Sequence, residues 1–301
     1  MFRYTATAVI RTLVNKAPWL TAKIAADEQA GVFLYILGRK HHLRTVEFLP
    51  PMSSPLASGT STIRLRPDFT ICPAVLTSGA WQYKEVAFIK SKLPATGNYT
   101  LIDVGANVGL ITRQVLGAIP AVTSAICFEP DADNFLCLQH NLKPFPDVVL
   151  REVALSEGKG SAPFFLDESN CGNFSLNPSA MDGRSHRATT VTTEDANVFF
   201  SDLLLSVPAD RRFVYKSDTQ GYDEFIASII PRSFWDRVDF VIMELWRIAK
   251  PKADQAAFRR LIESFPNRRL AEQGGQASVA VVMDFAFGTA TGKFDDLFLW
   301  R

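Results

Sequence analysis

Residues 101–110, which read LIDVGANVGL, constrain the fold of this chain more than any other segment. An apolar run ends in Asp103, turns on Gly105 and Gly109, and continues into an apolar pattern typical of a helix. A strand, a glycine turn and a helix form the first half of a βαβ unit, whose bare turn lets a small cofactor approach the backbone. The next apolar run ends in Glu129, where an acid is placed to accept hydrogen bonds from a ribose diol. The pattern therefore predicts an enzyme with a nucleotide-containing cofactor.

Strand-like and helix-like segments alternate through most of the chain. The patterns predict strands at 100–104, 123–128, 148–153, 213–217 and 239–245, and helices at 83–93, 108–117, 131–142, 221–230 and 253–264. Two alternating apolar runs at 277–287 and 297–300 predict a terminal antiparallel hairpin. The simplest assembly is an α/β fold with a doubly wound, mostly parallel seven-stranded sheet and an antiparallel C-terminal edge.

The first part of the chain differs from the rest. Residues 1–48 carry apolar side chains at mixed helical spacings and end in a basic cluster, which predicts a helical cap on the main domain. A membrane-surface or partner helix, with peripheral membrane contact, is the alternative. Residues 50–55, PPMSSP, indicate a linker, and the alternating residues 62–66 an edge strand. We therefore predict an N-terminal helical extension with its linker at 1–55 and the main domain at 56–301.

Composition excludes several classes of partner. Thirty-two Lys and Arg residues against 31 Asp and Glu give a formal net charge of +1, so no general field attracts nucleic acid. The four cysteines form no CxxC pair, which favours reduced thiols in a reducing compartment. Residues 1–20 lack the apolar core of a signal peptide, and no stretch approaches the ~20 apolar residues of a membrane span. We expect a cytoplasmic protein.

Residues 157–195 interrupt the alternation of strands and helices. Apart from an apolar strand at 164–166, this insertion is polar and rich in turn-forming residues. A long polar insertion beside a cofactor site is typical of a loop that covers a substrate. A disordered excursion is the alternative.

The acid at the strand end bears on the choice of cofactor. The dinucleotide fingerprint GxGxxG has an early glycine so that a pyrophosphate can sit at the helix N-terminus, whereas here Asp103 precedes Gly105. A carboxylate would repel pyrophosphate but could pair with an ammonium group, which S-adenosylmethionine has and NAD lacks. An NAD-linked oxidoreductase is therefore the less favoured alternative.

Several motifs together resemble one enzyme family. They are DVGANVG at 103–109, FEPD at 128–131 with NF at 134–135, VALS at 153–156, GNFSL at 172–176 and KSDTQGYD at 216–223. In this order and spacing, roughly residues 75–245 resemble the Rossmann-like class I methyltransferases, and specifically the FkbM family of O-methyltransferases.

The resemblance implies a cofactor, a set of binding residues and a class of acceptor. The cofactor is S-adenosyl-L-methionine as methyl donor, and the acceptor is a hydroxyl, in particular of a sugar unit in a glycan, glycolipid or secondary metabolite. The implied binding residues are Asp103, Gly105, Ala106, Asn107 and Gly109 around the methionine part, Glu129 and Pro130 at the ribose, and the residues around Ala154 at the adenine. The segment from Asn173 to Ser175 is predicted to be a loop that contacts the cofactor or the acceptor.

Two positions depart from the family pattern. Residues 217–221 read SDTQG, where the family typically has a glutamate in place of Gln220. Residues 79–82 read GAWQ, with Gln82 again in place of a glutamate. Each departure removes a negative charge near the predicted site. A catalytically weak, cofactor-binding scaffold or regulator is therefore an alternative function.

Three side chains are candidates for the proton transfer that a hydroxyl acceptor needs. Asp218 ends a predicted strand at the same sheet edge as Asp103 and is the leading base, with a helix N-cap as the alternative. Glu244 ends the next strand, and two paired acids could raise each other's pKa or bind a divalent cation. Only two oxygen ligands are visible, so we predict no metal site. His186 is a mobile base or a solvated loop histidine.

Overall fold

The computed structural model describes residues 44–50, 52–58, 61–250 and 252–301. The predicted N-terminal helical extension therefore lies almost entirely outside the described residues. The strands are β1 (Val46–Phe48), β2 (Ile63–Leu65), β3 (Tyr99–Val104), β4 (Val122–Phe128), β5 (Val148–Arg151), β6 (Ala154–Ser156), β7 (Gly160–Asp167), β8 (Phe174–Ser175), β9 (His186–Asp195), β10 (Arg212–Ser217), β11 (Val238–Trp246), β12 (Asn267–Leu270) and β13 (Phe294–Trp300). The helices are α1 (Ile71–Ser78), α2 (Tyr83–Lys92), α3 (Leu110–Ala118), α4 (Ala132–Leu142), α5 (Ala196–Ser206), α6 (Asp223–Ile229), α7 (Arg232–Trp235), α8 (Gln255–Glu263) and α9 (Val279–Phe287).

The main sheet has seven strands in the order β12-β13-β11-β10-β3-β4-β5. Strands β11, β10, β3, β4 and β5 are parallel, and β13 runs antiparallel to both β11 and β12. All six residues of β3 are buried, as expected for a parallel strand covered on both faces. This arrangement confirms the predicted doubly wound α/β fold with an antiparallel C-terminal edge.

Helices cover both faces of the main sheet. Apolar residues of α2, α3 and α4 pack with Leu101, Cys127 and Phe240 on one face. Those of α5, α6, α8 and α9 pack with Ile102 and Tyr215 on the other. From β3 the chain moves outward through β4 to β5, and it later returns to β10 on the other side of β3. The strand order therefore reverses between β3 and β10, and a crevice for a ligand is expected at the carboxyl ends of these two strands.

The C-terminal hairpin prediction is wrong in one of its strands. Residues 279–287 form α9, whose first turn is capped by Ser278 Oγ accepting from the Val281 N–H at 3.3 Å. Val282, Met283 and Phe285 are buried at helical spacing against the sheet. The antiparallel edge is instead built by β13 with β12, because residues 267–270 supply the partner strand.

The insertion at 157–195 is ordered structure and not a disordered excursion. It contributes most of a second sheet in the order β6-β9-β7-β8. Strand β7 pairs antiparallel with β9 from Gly160↔Thr193 to Asp167↔His186, and β6 pairs parallel with the end of β9. The segment 168–175, which comprises the connection between β7 and β8 and the strand β8, is named the cover loop below because its residues 170–174 line a cavity over the main sheet.

A small ribbon packs on this assembly. Strands β1 and β2 pair antiparallel, and their buried Val46, Ile63 and Leu65 pack with Leu56 and α1. The predicted strand at 62–66 therefore exists, but it pairs outside the main sheet. The four cysteines, Cys72, Cys127, Cys137 and Cys171, are buried and free. Within the described residues, no helix combines the length and apolarity needed to cross a bilayer.

Candidate functional site

A cavity of about 300 Å³ opens at the carboxyl ends of β3, β4, β10 and β11. Its size lies at the lower end of the range for small-molecule sites. The polar or turn residues that line it include Gly105, Ala106, Asn107, Glu129, Pro130, Asn173, Lys216, Asp218, Thr219, Gln220 and Glu244, and the aromatic ones include Trp81, Phe164, Phe174, Tyr222, Trp246 and Phe294.

The turn after β3, residues 105–109, is named the glycine turn. Gly105 has φ of +72°, and a Cβ there would lie 2.0 Å from the carbonyl oxygen of Asp218, so only glycine fits between β3 and β10. Gly109 has φ of +82° and packs against Leu138 of α4. Gly109 does not line the cavity, so its position reflects helix packing.

Every backbone N–H of the glycine turn has a partner within the protein. The N–H groups of Gly105 and Ala106 donate to the Phe128 carbonyl at 3.0 and 2.9 Å. That of Asn107 donates to Glu129, that of Val108 to the Asn107 side chain, and that of Gly109 to the Ala106 carbonyl. The turn therefore offers a ligand bare backbone but no free donor for a phosphate.

Glu129 is held by two backbone donors at the end of β4. Its Oε2 accepts from Asn107 N at 2.8 Å and its Oε1 from Asp131 N at 2.9 Å. Burial raises the pKa of Glu129 to about 8, and the N–H groups oppose that rise. Each oxygen keeps a second lone pair, so the ionised side chain presents two acceptors to a donor in the cavity.

Asp103 lies beneath the cavity wall and is fully buried. Its Oδ2 accepts from Thr112 Oγ1 at 2.5 Å, and its Oδ1 lies 3.0 Å from Lys216 Nζ. Lys216 also donates to the Gly105 carbonyl at 2.7 Å. Burial alone would lower the pKa of Lys216, but the charges of Asp103 and Asp218 outweigh it and raise this pKa above its usual value. Asp103 is therefore already neutralised by an internal cation.

Asp218 and Glu244 meet at the neighbouring strand ends, joined by one amide. Gln220 Nε2 donates to Asp218 Oδ1 at 2.5 Å and to Glu244 Oε2 at 2.7 Å. Trp246 Nε1 donates to the same Glu244 oxygen at 2.5 Å. Burial first, and the charge of Asp218 second, raise the pKa of Glu244 well above its usual value. Glu244 therefore holds a proton more readily than an exposed glutamate.

Asp296 adds to this acidic cluster from β13. It stands opposite Glu244 in the antiparallel register. Burial, followed by the charge of Asp218, raises its pKa to about 7. Across the residues that the structure describes, no group of three or more His, Cys, Asp or Glu side chains is arranged to hold a metal ion.

The cover loop is fastened to both halves of the cavity. On the cofactor side, the Cys171 carbonyl accepts from Asn107 Nδ2 at 3.1 Å and from Asn134 Nδ2 at 3.0 Å. On the other side, Ser175 Oγ donates to the carbonyls of Thr219 and Gln220 at 3.2 and 2.9 Å. Ser175 is fully buried and does not line the cavity, so it braces the loop.

Aromatic side chains and one arginine surround the mouth of the cavity beside Glu244. The Trp246 ring stacks on Phe294, with centroids 5.4 Å apart and an interplanar angle of 22°. The Arg184 guanidinium lies 5.9 Å from the Trp246 centroid and 3.3 Å from Asp167 Oδ2. Phe294 is 56% exposed, which leaves a flat apolar surface at the entrance.

The structure brings most of the predicted site residues together. The predicted residues that line the cavity are Gly105, Ala106, Asn107, Glu129, Pro130, Ala154, Asp218 and Glu244, and those that do not are Asp103, Gly109, Ser175 and His186. His186 begins β9, is exposed, and pairs through Nδ1 with the Arg184 carbonyl at 3.0 Å.

Sequence reasoning did not single out Lys216 or Arg184, which also line the cavity. Lys216 precedes the predicted base by two positions, and a lysine inside an apolar strand was an available signal. Arg184 lies in the insertion, where no periodic pattern marks its position. Asn173 lies in the insertion too, within the predicted contacting loop at 173–175, and lines the cavity.

Comparison with protein-family models gives no match for this chain. Comparison with curated proteins gives none either. Among solved structures, the chain is similar to a methyltransferase FkbM from Methylobacillus flagellatus KT, with 12% identity, 76% of this chain and 52% of that chain covered, and a TM-score of 0.41. The chain therefore spans about half the length of that relative.

Two further structures are similar to the chain. Precorrin-6y C5,15-methyltransferase from Geobacter metallireducens GS-15 has 12% identity, 72% and 88% of the two chains covered, and a TM-score of 0.35. Precorrin 8w decarboxylase from Methanobacterium thermoautotrophicum has 12% identity, coverages of 74% and 92%, and a TM-score of 0.35. At these identities the similarity concerns the fold alone.

Proposed function

We propose that this protein is an S-adenosylmethionine-dependent methyltransferase that methylates a hydroxyl group. The observation that carries the proposal is a single cavity with two different acidic ends. Glu129, fixed by two backbone donors, follows β4 beside the glycine turn. On the other side of β3, Asp218 follows β10 and is joined through Gln220 to Glu244 of β11. The first end suits a ribose diol, and the second suits the proton of an acceptor hydroxyl.

The residues of the cavity fit this cofactor better than a dinucleotide. The glycine turn has no free N–H, since all five of its donors are used within the protein. Lys216, the lysine that lines the cavity, is already paired with Asp103. A pyrophosphate at the glycine turn would thus meet no free N–H of residues 105–109, and Arg184, the other cation of the lining, is likewise paired, with Asp167. A sulfonium cofactor needs neither a donor cradle nor a free cation. These contacts disfavour the NAD-linked oxidoreductase.

When bound, the cofactor supplies a methyl carbon activated by the sulfonium. The chain's own contribution is alignment, exclusion of water and control of one proton. The cover loop closes the cavity from above through its bonds to Asn107 and Thr219. Asp218 accepts the hydroxyl proton, and burial together with the charge of Asp218 raises the pKa of Glu244, which disfavours a second negative charge beside it. Gln220 holds the two acids in one fixed geometry.

A sugar unit of a glycan, glycolipid or secondary metabolite is the proposed acceptor. The exposed face of Phe294, stacked on Trp246, supports this choice because flat aromatic surfaces pack against the apolar faces of sugar rings. The family resemblance of the motifs at 103–109, 172–176 and 216–223 points to the same acceptor class.

A cofactor-binding scaffold is the second candidate, and Gln220 is the observation that favours it. Its amide already engages Asp218 and Glu244, so the predicted base has one oxygen occupied. Both acids are nevertheless present at the strand ends. The methyltransferase and the scaffold would both bind the cofactor, and only the methyltransferase would transfer its methyl group.

Isothermal titration calorimetry with S-adenosylhomocysteine and, separately, with NADH tests the cofactor. We expect a one-site isotherm with the first ligand and no heat with NADH. Transfer of a labelled methyl group from S-adenosylmethionine to a panel of hydroxylated glycans then separates the enzyme from the scaffold. Binding of NADH alone would overturn the proposal, and cofactor binding without transfer to any acceptor in the panel would favour the scaffold.

A further inference from the structure

Three side-chain oxygens at one end of the cavity are open and unpaired. This end, formed by Asp218, Gln220 and Glu244, is named the acceptor end, and all three residues line the cavity. Gln220 Nε2 donates to one oxygen of each acid, which leaves Asp218 Oδ2, Glu244 Oε1 and Gln220 Oε1 without a partner in the described part of the chain. None of the three is among the unpaired atoms that are fully buried, so each keeps accessible surface. They are therefore available to a ligand that donates hydrogen bonds.

The Gln220 amide has only its oxygen left for a ligand. Its nitrogen lies 2.5 Å from Asp218 Oδ1 and 2.7 Å from Glu244 Oε2. Because an ionised carboxylate only accepts, the nitrogen faces the acids and both of its N–H groups are spent on them. The Trp246 N–H is spent on Glu244 as well. With the acids ionised, the three side chains of the acceptor end thus present three acceptors and no free donor.

No protein cation within the described residues forms an ion pair with either acid of the acceptor end. The lysine and the arginine of the cavity lining are Lys216 and Arg184. Lys216 Nζ lies 3.0 Å from Asp103 Oδ1, and an Arg184 nitrogen lies 3.3 Å from Asp167 Oδ2. Each of these cations is therefore held by another carboxylate. A positive charge that pairs with the acids of the acceptor end has to come from a ligand.

The charges around Glu244 favour a cationic ligand. Burial, followed by the charges of Asp218, Asp296 and Asp223, raises the pKa of Glu244 well above its usual value, and the Trp246 N–H opposes that rise. The three acids face Glu244 from different elements, since Asp218 follows β10, Asp296 belongs to β13 and Asp223 begins α6. A cation beside Glu244 would offset this repulsion and stabilise the ionised carboxylate. Binding would then replace the proton on Glu244 by the cation.

The strand order places Glu244 on the acceptor side of the cofactor. Glu129, the proposed ribose ligand, follows β4, whereas Glu244 belongs to β11, three strands away in the order β11-β10-β3-β4. Three strand spacings amount to roughly 14 Å. The glycine turn, which the family resemblance assigns to the methionine part, follows β3 between them. A cofactor that extends from Glu129 to the glycine turn therefore leaves Glu244 to the acceptor.

Aromatic rings beside Glu244 suit a sugar that carries a positive charge. The Trp246 N–H donates to Glu244, and the Trp246 ring stacks on Phe294 with centroids 5.4 Å apart. The Arg184 guanidinium lies 5.9 Å from the Trp246 centroid, so this ring already has a cation beside it. Aromatic faces attract cations, and the exposed Phe294 offers a flat surface to a sugar ring.

We propose that the acceptor is an amino sugar whose ammonium group binds Glu244 Oε1 and Gln220 Oε1, while the neighbouring hydroxyl faces Asp218 Oδ2. This inference rests on the proposed function and names its substrate class. An ammonium group brings three N–H donors and one positive charge, whereas a hydroxyl donates only once and is neutral. Because one amide nitrogen bonds to both acids, the two binding positions are adjacent, as are groups on neighbouring carbons of a sugar ring.

Ligand-observed NMR titrations of the protein saturated with S-adenosylhomocysteine test this assignment. The probes are D-glucosamine, N-acetyl-D-glucosamine, whose amide carries no charge, and D-glucose, which has a hydroxyl in place of the amine. At a pH below the pKa of the amine, glucosamine should bind about 10-fold or more tightly than either neutral sugar, as expected for hydrogen bonds between charged groups.

Glu244→Gln is the test variant, because its amide oxygen can still accept from Gln220 and Trp246. It should bind the three sugars about equally. Asp296→Asn is the matched control, since Asp296 stands opposite Glu244 in the sheet but does not line the cavity. This control should keep the preference for glucosamine. Calorimetry should give the same S-adenosylhomocysteine affinity for the wild type and Glu244→Gln.

Four results would overturn the amino-sugar assignment. Equal affinities for the three sugars, or no binding of glucosamine, would exclude a site for its ammonium group in the wild type. A full preference in Glu244→Gln, or its loss in Asp296→Asn as well, would show that contact with Glu244 is not the cause. Weaker S-adenosylhomocysteine binding in Glu244→Gln would also overturn it, because the acids would then hold the amino group of the cofactor. No binding of S-adenosylhomocysteine to the wild type would reject the proposed function itself.

Discussion

Glu129 should give cofactor affinity a pH dependence that can be worked out from its surroundings. Burial raises its pKa to about 8 in the unliganded protein. Only the ionised side chain accepts from both hydroxyls of a ribose diol. The dissociation constant for S-adenosylhomocysteine should therefore increase by about tenfold for each pH unit below 8, and should level off above it.

The stability of the unliganded protein should change with pH in the opposite sense. The pKa of Glu129 is raised from its usual 4.5 to about 8, so the folded state holds the proton more tightly than the unfolded state. Its contribution to the free energy of unfolding is complete below pH 4.5. That contribution should fall as the pH rises toward 8, at up to about 1.4 kcal/mol per pH unit.

Glu129→Gln isolates this group from others that titrate. In the variant, an NH₂ group replaces one carboxylate oxygen and faces either Asn107 N or Asp131 N, both of which are donors. The resulting mismatch should cost roughly 1–3 kcal/mol of stability. Calorimetry and thermal unfolding at pH 6, 7, 8 and 9 should show weak binding without the pH slope. Equal slopes in the two proteins, or tightest wild-type binding at pH 6, would refute the reasoning.

Three further substitutions test other parts of the site. Asp218→Asn should lower methyl transfer by ~10²-fold or more at unchanged S-adenosylhomocysteine affinity, and full turnover would show that Asp218 is not the base. The predicted capping alternative does not hold, because α6 begins at Asp223 with Tyr222 as its N-cap. Asp103→Asn should cost roughly 3–5 kcal/mol in chemical denaturation because it leaves Lys216 buried without its counter-charge, and an unaltered midpoint would contradict the ion pair. Gly105→Ala should lower the melting temperature far more than Gly183→Ala. Gly183 is the control because it has a similar φ of +74° but no described heavy atom within 4 Å of its Cβ position. Equal losses of melting temperature in the two variants would contradict the close approach of Gly105 to the Asp218 carbonyl.

The location of the site was predictable because the carboxyl ends of parallel strands meet at one edge. Asp103, Glu129, Asp218 and Glu244 each end an apolar run, so their gathering follows from the strand pattern alone. The five strands predicted for the parallel part of the main sheet agree with the structure, because buried parallel strands give continuous apolar runs.

The charge state at Asp103 was not predictable from that pattern. Lys216 stands directly opposite Asp103 in the register between β3 and β10, although the two residues are far apart in the sequence. A sequence pattern gives the end of each strand but not which strand lies beside it. Whether Asp103 is free or paired therefore depends on which strand lies beside β3.

Two further differences have local physical causes. The run at 277–287 contains so many apolar residues that helical and alternating spacings both fit, and the Ser278 cap with buried Val282 and Met283 decides for the helix. Asn173 lies in a segment without periodicity, so the sequence did not predict the hydrogen bond that its Nδ2 donates to Asp167 Oδ2 at 2.8 Å.

The most direct test of the account is the structure of the protein crystallised with S-adenosylhomocysteine. We expect the ligand in the cavity at the carboxyl ends of β3 and β4, with both ribose hydroxyls within hydrogen-bond distance of the Glu129 carboxylate. A ligand bound elsewhere, or a ribose turned away from Glu129 in this cavity, would contradict the central claim.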